Sequence, residues 1–368
     1  MKKTLAAVAV LGAFAGSAMA ADVTLYGKVD LGLSYSNVQN EKGVDGVDRD
    51  SYSMDSGNAS SSRWGLKGSE QISEGLTVGF NLEDGIKADT GETGDMFDRV
   101  SMLYVDTNYG KLSLGRYGAL DSGTGPLDMV AGFSAGGTGY GDIIDQSTVM
   151  YTYSRFDNAI AYTTPEFAGM KVSVMTSLQA DGSSVDEGTH RVDRYHGVGL
   201  TGQWGALGAG LVVSMSDPAN VAGAADQDDD AFNVTAGVNY DFGVAKAFLA
   251  ANYFDGGERS KWVLTGMFDH EYDMGAGEYS QWGTVASVAI PLSAGELQAM
   301  VGYGEGTFEP TAAEDVDITR YTVGAYYEYP LSKRTYVYAA AGYTQTESDN
   351  WDADEKYTKV ISGIVHNF

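Results

Sequence analysis

Residues 231–242, AFNVTAGVNYDF, alternate with a period of two. Phe232, Val234, Ala236, Val238, Tyr240 and Phe242 share one face, and Asn233, Thr235, Gly237, Asn239 and Asp241 share the other. Successive side chains of a strand point to opposite sides, so this stretch is a strand apolar on one face and wetted on the other. The pattern recurs on both sides of it. In 22–35, Leu25, Val29, Leu31 and Leu33 oppose Thr24, Lys28, Asp30 and Ser34. In 75–83, Leu76, Val78, Phe80 and Leu82 oppose Thr77, Gly79, Asn81 and Glu83. Near the end, Tyr321, Val323, Ala325, Tyr327 and Tyr329 oppose Arg320, Thr322, Gly324 and Glu328. Sixteen segments of this kind are predicted, near 22–36, 60–70, 75–85, 96–108, 110–116, 157–164, 169–179, 194–204, 206–216, 231–241, 243–255, 279–291, 295–306, 316–330, 333–346 and 357–368.

The connections alternate in length. Turns such as Tyr109-Gly110, Gly205-Ala206, Phe242-Gly243 and Leu331-Ser332 separate long segments at 37–59, 117–156, 180–193, 217–230 and 256–278. Short turns on one side and long loops on the other are the pattern of an outer-membrane barrel. All six Pro fall in connections or at strand ends, where a missing N–H costs least. Tyr35, Tyr109, Trp204, Tyr253, Tyr329 and Tyr343 lie near strand ends, as an interfacial girdle requires. A soluble β-sandwich or propeller would also alternate, but polar inner faces on sixteen strands would leave it a poor core. The expected fold is all-β: a transmembrane antiparallel barrel of sixteen strands. Such a barrel is too wide for side chains to fill, so a water channel remains.

Of 368 residues, 49 are Gly, 24 Tyr and none Cys. A chain without Cys has no disulfide framework, thiolate nucleophile or Cys-held metal. The formal charge of −27 repels phosphate backbones and argues against nucleic-acid binding. At the start, Lys2 and Lys3 precede a mostly apolar run from Thr4 to Phe14, and Ala18-Met19-Ala20 supplies small residues for cleavage. Residues 1–20 are therefore expected to be a cleaved signal peptide, with 21–368 forming the barrel. Removing Lys2 and Lys3 with no acid takes the charge from −27 to −29. No later run of 18 apolar residues suggests a membrane helix, and hydropathy averaging is blind to barrel strands.

Catalytic and metal motifs are weak. Gly132-Phe-Ser-Ala-Gly136 matches a nucleophile elbow but lies in a Gly-rich loop rather than at a strand-to-helix turn over a parallel sheet. Asp226–Asp230 begins like a calcium loop, but Ala231 takes the glycine position and Gly237 the bidentate-glutamate position. His270-Glu271 lacks the second His of a zinc-protease helix, and His190 and His196 around Asp193 make a poor cage. No enzymatic activity, cofactor or metal is expected. A barrel lipase or protease would need a catalytic constellation that four scattered His do not suggest; a surface adhesin working through its long loops stays open.

Several segments resemble the general porins of Gram-negative bacteria, most closely the neisserial and burkholderial type. They are DVTLYGKVD at 22–30, SSRWGLKGSE at 61–70, YGKLSLGR at 109–116, TPEFAG at 164–169 and GIVHNF at 363–368. The resemblance implies a homotrimer in the outer membrane, in contact with lipid and lipopolysaccharide, passing ions and small hydrophilic solutes. It also implies a long third loop folded into the lumen, and a terminal Phe368 that belongs to the signal read by the barrel-assembly machinery.

The third long connection, 117–156, carries Asp121, Asp128, Asp142 and Asp145. Strand parity places Lys28, Arg63, Lys67 and Arg99 on inward faces; Arg116 ends its strand where the loop begins, and its facing is left open. Acids on the loop against bases on the wall would make a transverse field across a constriction. The net charge tips the expected selectivity weakly toward cations, although much of it lies in screened outer loops such as 226–230. General diffusion is expected rather than a dedicated sugar channel.

Overall fold

The computed structural model describes residues 23–40, 48–140, 143–178, 194–217, 231–256, 277–310, 314–349 and 354–368. Sixteen strands build the wall. The first eight are β1 (Thr24–Asn40), β2 (Arg63–Ser73), β3 (Leu76–Lys87), β4 (Val100–Thr107), β5 (Gly110–Gly118), β6 (Arg155–Thr163), β7 (Met170–Ser177) and β8 (Arg194–Trp204). The rest are β9 (Leu207–Asp217), β10 (Ala231–Asp241), β11 (Lys246–Gly256), β12 (Gly277–Leu292), β13 (Gly295–Pro310), β14 (Val316–Pro330), β15 (Thr335–Ser348) and β16 (Glu355–Asn367). Each pairs antiparallel with its neighbour in the chain. β16 returns to β1, from Lys28↔Asn367 to Asn40↔Glu355, so the sheet closes and has no free edge around the wall.

The stretch that announces the fold behaves as its alternation requires, but with burial inverted relative to a soluble protein. On β10, Phe232, Val238 and Tyr240 are 36–46% exposed, while Asn233, Thr235 and Asn239 are buried. Leu33, Val198, Leu249, Val301 and Val323 repeat the outward apolar face around the barrel. An apolar belt this continuous has no place in water and matches lipid. Between β8 and β9, Trp204 pairs with Leu207 across a two-residue turn, and Gly205 there takes φ +61°, where a side chain would be strained.

One element departs from the sequence expectation. Residues 48–56 form a further strand along the outer half of β1, within a stretch read as loop. Its sequence, DRDSYSMDS, has only a short apolar face, Tyr52 and Met54 beside Tyr35 and Leu33, and most of it is exposed. It prolongs the wall along the outer half of β1, and two apolar residues in nine are too few for alternation to reveal it. A two-residue strand at Glu92–Thr93 likewise pairs with the end of β3.

The buried core lies inside the barrel. Leu120, Val130, Phe133, Ile143, Ile144, Val149 and Met150, all from the third long connection, are at most 5% exposed. They pack with inward wall residues such as Tyr195, Val212, Ala250, Val285 and Met300.

Candidate functional site

The loop after β5 runs across the lumen because the opposite wall is shaped to receive it. The ring of Phe133 lies over Gly210 and Gly237; Val149 lies on Gly283, Gly302 and Gly304; Ile143 lies on Gly324 and Gly342. These glycines share the inward parity of β9, β10 and β12–β15. A Cβ on Gly283 would meet the Val149 carbonyl oxygen, and one on Gly324 the Ile143 carbonyl oxygen, so only glycine permits the approach. Polar wall groups take the loop's backbone: Ser287 Oγ accepts from Ala135 N at 2.9 Å and Asn252 Oδ1 from Tyr151 N at 2.9 Å, while Asn239 Nδ2 donates to Gly132 O at 3.1 Å. The far reach is pinned by Tyr140. Its ring stacks on Tyr326 at 3.7 Å, and its N–H donates to Ala59 O at 3.1 Å. Ala59 and Ser60 are held in turn by Asp30, which accepts from both backbone N–H groups and from Tyr338 OH at 2.7–2.9 Å. The loop thereby crosses the lumen and reaches the wall at β1, which continues through β2–β4.

That part of the wall is basic. Glu83 is shared by two arginines: Arg99 Nε donates to Oε1 at 2.8 Å, and Arg63 Nε lies 3.5 Å from Oε2, where Tyr26 OH also donates at 3.1 Å. Arg63 further donates to Ser61 O at 3.0 Å, and Lys28 Nζ to Ser60 Oγ at 3.1 Å. Arg155, at the other root of the loop, donates to Thr124 Oγ1 at 3.4 Å and lies in the field of Arg99 and Arg116. Lys28, Arg63, Arg99 and Arg155 thus gather around Glu83 and the fully buried Asp30, with Glu328 acting on Lys28 and Asp98 on Arg155, so cations and carboxylates are interleaved along this wall.

Lys28 and Arg63 stand where the parity argument places them, whereas Arg99 has the parity of outward Ser101 and Leu103 and reaches Glu83 from the bend before β4. Lys67 is inward too, its ammonium 5.0 Å from the Tyr26 ring centroid, but it sits four residues from Arg63, about 13 Å along the strand. Arg116 does not join them. It pairs across from Ser101, shares the outward parity of Leu112 and Leu114, donates to Asp98 O at 2.7 Å and is ion-paired with Asp157 at 2.6 Å. It belongs to the outer rim of the wall.

The expected loop acids require a correction. Asp121 is completely buried: Tyr195 OH donates to it at 2.8 Å, Asn233 Nδ2 at 2.7 Å, and Ser214 Oγ also donates. It ties the root of the loop to β8, β9 and β10. Asp128 accepts from the N–H groups of Gly123, Val130 and Ala131, and Asp145 caps the turn at Gln146–Thr148 by accepting from Ser147. These three carboxylates hold the loop's shape instead of presenting charge to the passage, because short Asp side chains in turns are captured by nearby backbone N–H groups. Asp142 lies outside the described residues, as do residues 1–22, Asp226–Asp230, His190, Asp193 and His270-Glu271.

Two contributors were missed in the sequence. Arg155 stood inside the stretch read as loop, two residues before the predicted strand. Glu83 was visible on the wetted face of 75–83 but gained meaning only beside Arg63 and Arg99. The Gly132–Gly136 motif stays on the loop, with Ser134 following a short turn at Ala131–Phe133 and no strand-to-helix elbow. Phe368 exchanges backbone hydrogen bonds with Gly27 at 3.0–3.1 Å, completing the seam between β16 and β1.

The Asp128 carboxyl is pushed up to about 6, burial outweighing the backbone N–H groups that favour its charge. A loop released into water would return it to about 4. Docking is therefore strongest below about 4 and weakens as pH rises through about 6. Open-channel current noise should rise between those pH values, and Asp128→Asn should abolish that rise.

A family model described as Gram-negative porin matches residues 6–349. An outer membrane porin protein of Bordetella pertussis is 30% identical over 395 residues, covering 100% of both chains. Outer membrane porin protein 32 of Delftia acidovorans is 36% identical over 262 residues, covering 67% of this chain and 68% of its own. Among solved structures, an anion-selective porin from Comamonas acidovorans aligns with a TM-score of 0.65 at 23% identity, over 94% of this chain and 99% of its own. With a closed barrel, a lipid-facing apolar belt and a basic stretch of wall beside a clamped loop, the chain belongs to the Gram-negative porin family, the channels of the bacterial outer membrane.

Proposed function

We propose that this porin is a general diffusion channel for small hydrophilic solutes whose constriction favours anions. The observation that carries the reading is the gathering of Lys28, Arg63, Arg99 and Arg155 on one stretch of wall, with the described loop acids turned into the loop's own scaffold. This reverses the weak cation preference suggested by net charge. A charge a few ångströms from the permeating ion outweighs many charges in the outer loops beyond the roughly 8–10 Å screening length. The anion-selective Comamonas porin supports this direction.

The same proposal takes residues 1–20 as a signal peptide cleaved after Ala20, Phe368 as part of the barrel-assembly signal, and lipid and lipopolysaccharide as the surroundings of the outward face. A Vibrio cholerae OmpT structure in its trimer form, aligned with a TM-score of 0.57, supports a homotrimer. Liposome swelling with sugars of matched size tests the channel reading. Uptake of gluconate should exceed that of protonated glucosamine about two- to fivefold, as removal of about 0.5–1 kcal/mol of repulsion gives. Equal rates, or faster glucosamine, would contradict the anion preference; no swelling with neutral pentose would contradict diffusion itself.

A further inference from the structure

The basic stretch of wall continues, through β16, into an aromatic one on β15. On β15, Tyr336 shares the inward parity of Tyr338 and Ala340, is half-buried, and packs against the tyrosine cluster at the tip of the loop. In that cluster Tyr140 stacks on Tyr326 at 3.7 Å and meets Tyr338 edge-on at 5.8 Å. The hydroxyls of this group are tied inward, Tyr338 OH to Asp30 and Tyr140 OH to Glu328 at 3.3 Å. The cluster is therefore rigid, and Tyr336 is its accessible member.

Register fixes what stands beside it. Tyr336 pairs with Val365, Val365 with Asp30, and Lys28, two residues before Asp30, pairs with Arg63. The ring of Tyr336 and the guanidinium of Arg63 thus sit on one patch of inner wall within electrostatic reach of each other, and Tyr26 lies on the far side of Arg63. A solute crossing here meets ammonium and guanidinium groups, the carboxylates of Glu83 and Glu328 that flank them, and an aromatic face together. Rings attract rings by offset or edge contacts worth about 0.5–1.5 kcal/mol beyond burial, and guanidinium groups pair with carboxylates in a planar fork.

We infer that the constriction holds a transient binding site for small aromatic carboxylates, the carboxylate on Arg63 and Lys28 and the ring on Tyr336. The inference deepens the anion-channel reading and rests on it, adding a solute class that charge alone does not select. Benzoate offers a ring to Tyr336 and a carboxylate to the basic half, whereas acetate engages only the basic half.

Single-channel recordings in KCl, with benzoate, cyclohexanecarboxylate or acetate added, test it. Benzoate should produce short current blocks at a concentration at least threefold lower than either of the other two. Tyr336→Leu should raise the half-blocking concentration of benzoate to that of cyclohexanecarboxylate, and Tyr336→Phe should keep it low. Arg63→Ala should weaken block by all three anions. Chloride conductance of each variant reports an open, folded barrel. If Tyr336→Leu fails to assemble, the wild-type ratio of benzoate to cyclohexanecarboxylate decides, since only an aromatic site separates them. Equal block by the three anions in an anion-preferring wild type, or benzoate preference unchanged in Tyr336→Leu, would overturn the site while leaving the anion channel standing. Loss of anion preference in the wild type would overturn both.

Discussion

Asp121→Ala is expected to free the constriction loop without opening the barrel wall. Tyr195, Ser214 and Asn233 all donate to this one fully buried carboxylate, so its removal takes the acceptor from three buried donors, of which Tyr195 and Ser214 can still bond each other. Each costs about 1–3 kcal/mol, and relaxation recovers part, so a loss of about 3 kcal/mol or more from loop docking is expected. The wall should survive, because β8, β9 and β10 keep their full backbone ladders. Single-channel current should become larger and noisier, and residues 125–139 should become accessible to protease. Asp121→Asn should behave far more mildly, since an amide oxygen in the Oδ2 position still accepts from Ser214 and Asn233 while the amide nitrogen can donate to Tyr195 OH. Quiet, wild-type current from Asp121→Ala would show that the glycine seats and the Tyr140 stack hold the loop alone.

The second large effect is electrical. Removing one cation from the basic wall changes the energy of a passing monovalent anion by about 0.5–1 kcal/mol at a distance near 5 Å in water, a two- to fivefold change in permeability ratio. Arg63→Ala, Arg99→Ala and Arg155→Ala should each move selectivity toward cations by that factor. Arg99→Ala also leaves Glu83 paired with Arg63 alone. The triple variant should compound the shifts and become cation-preferring. Arg116→Ala, on the outward rim with Asp157, should leave selectivity within about twofold of wild type, which separates the passage from the wall around it.

Most of the wall was legible because a membrane barrel repeats one simple instruction. In 231–242 every second side chain is apolar, and lipid on one side with water or loop on the other enforces that choice at each position. The strand at 48–56 was invisible for the converse reason: only Tyr52 and Met54, beside Tyr35 and Leu33 of β1, are apolar, too few to write a period of two. Arg116 was decidable in principle, since Leu112 and Leu114 share its parity, but a register shift between Gly115 and Tyr117 ends the regular pairing there.

The constriction was half legible. Lys28 and Arg63 inherit their facing from strand alternation, whereas loop residues have no periodicity to read. Asp121, Asp128 and Asp145 look alike as letters. Their roles come from which donors the folded loop brings within 3 Å, and those lie as far away as Asn233. Arg155 gained its place the same way, through the return of the loop beside Arg99.

The most direct test of the account is the zero-current potential of the purified wild-type porin in a planar bilayer under a KCl gradient. The basic passage predicts a potential of the sign set by chloride moving faster than potassium, reduced by added salt only weakly because the charges are close to the ion. A potential of the opposite sign in the wild type would contradict it, and would return control of selectivity to the acidic outer loops.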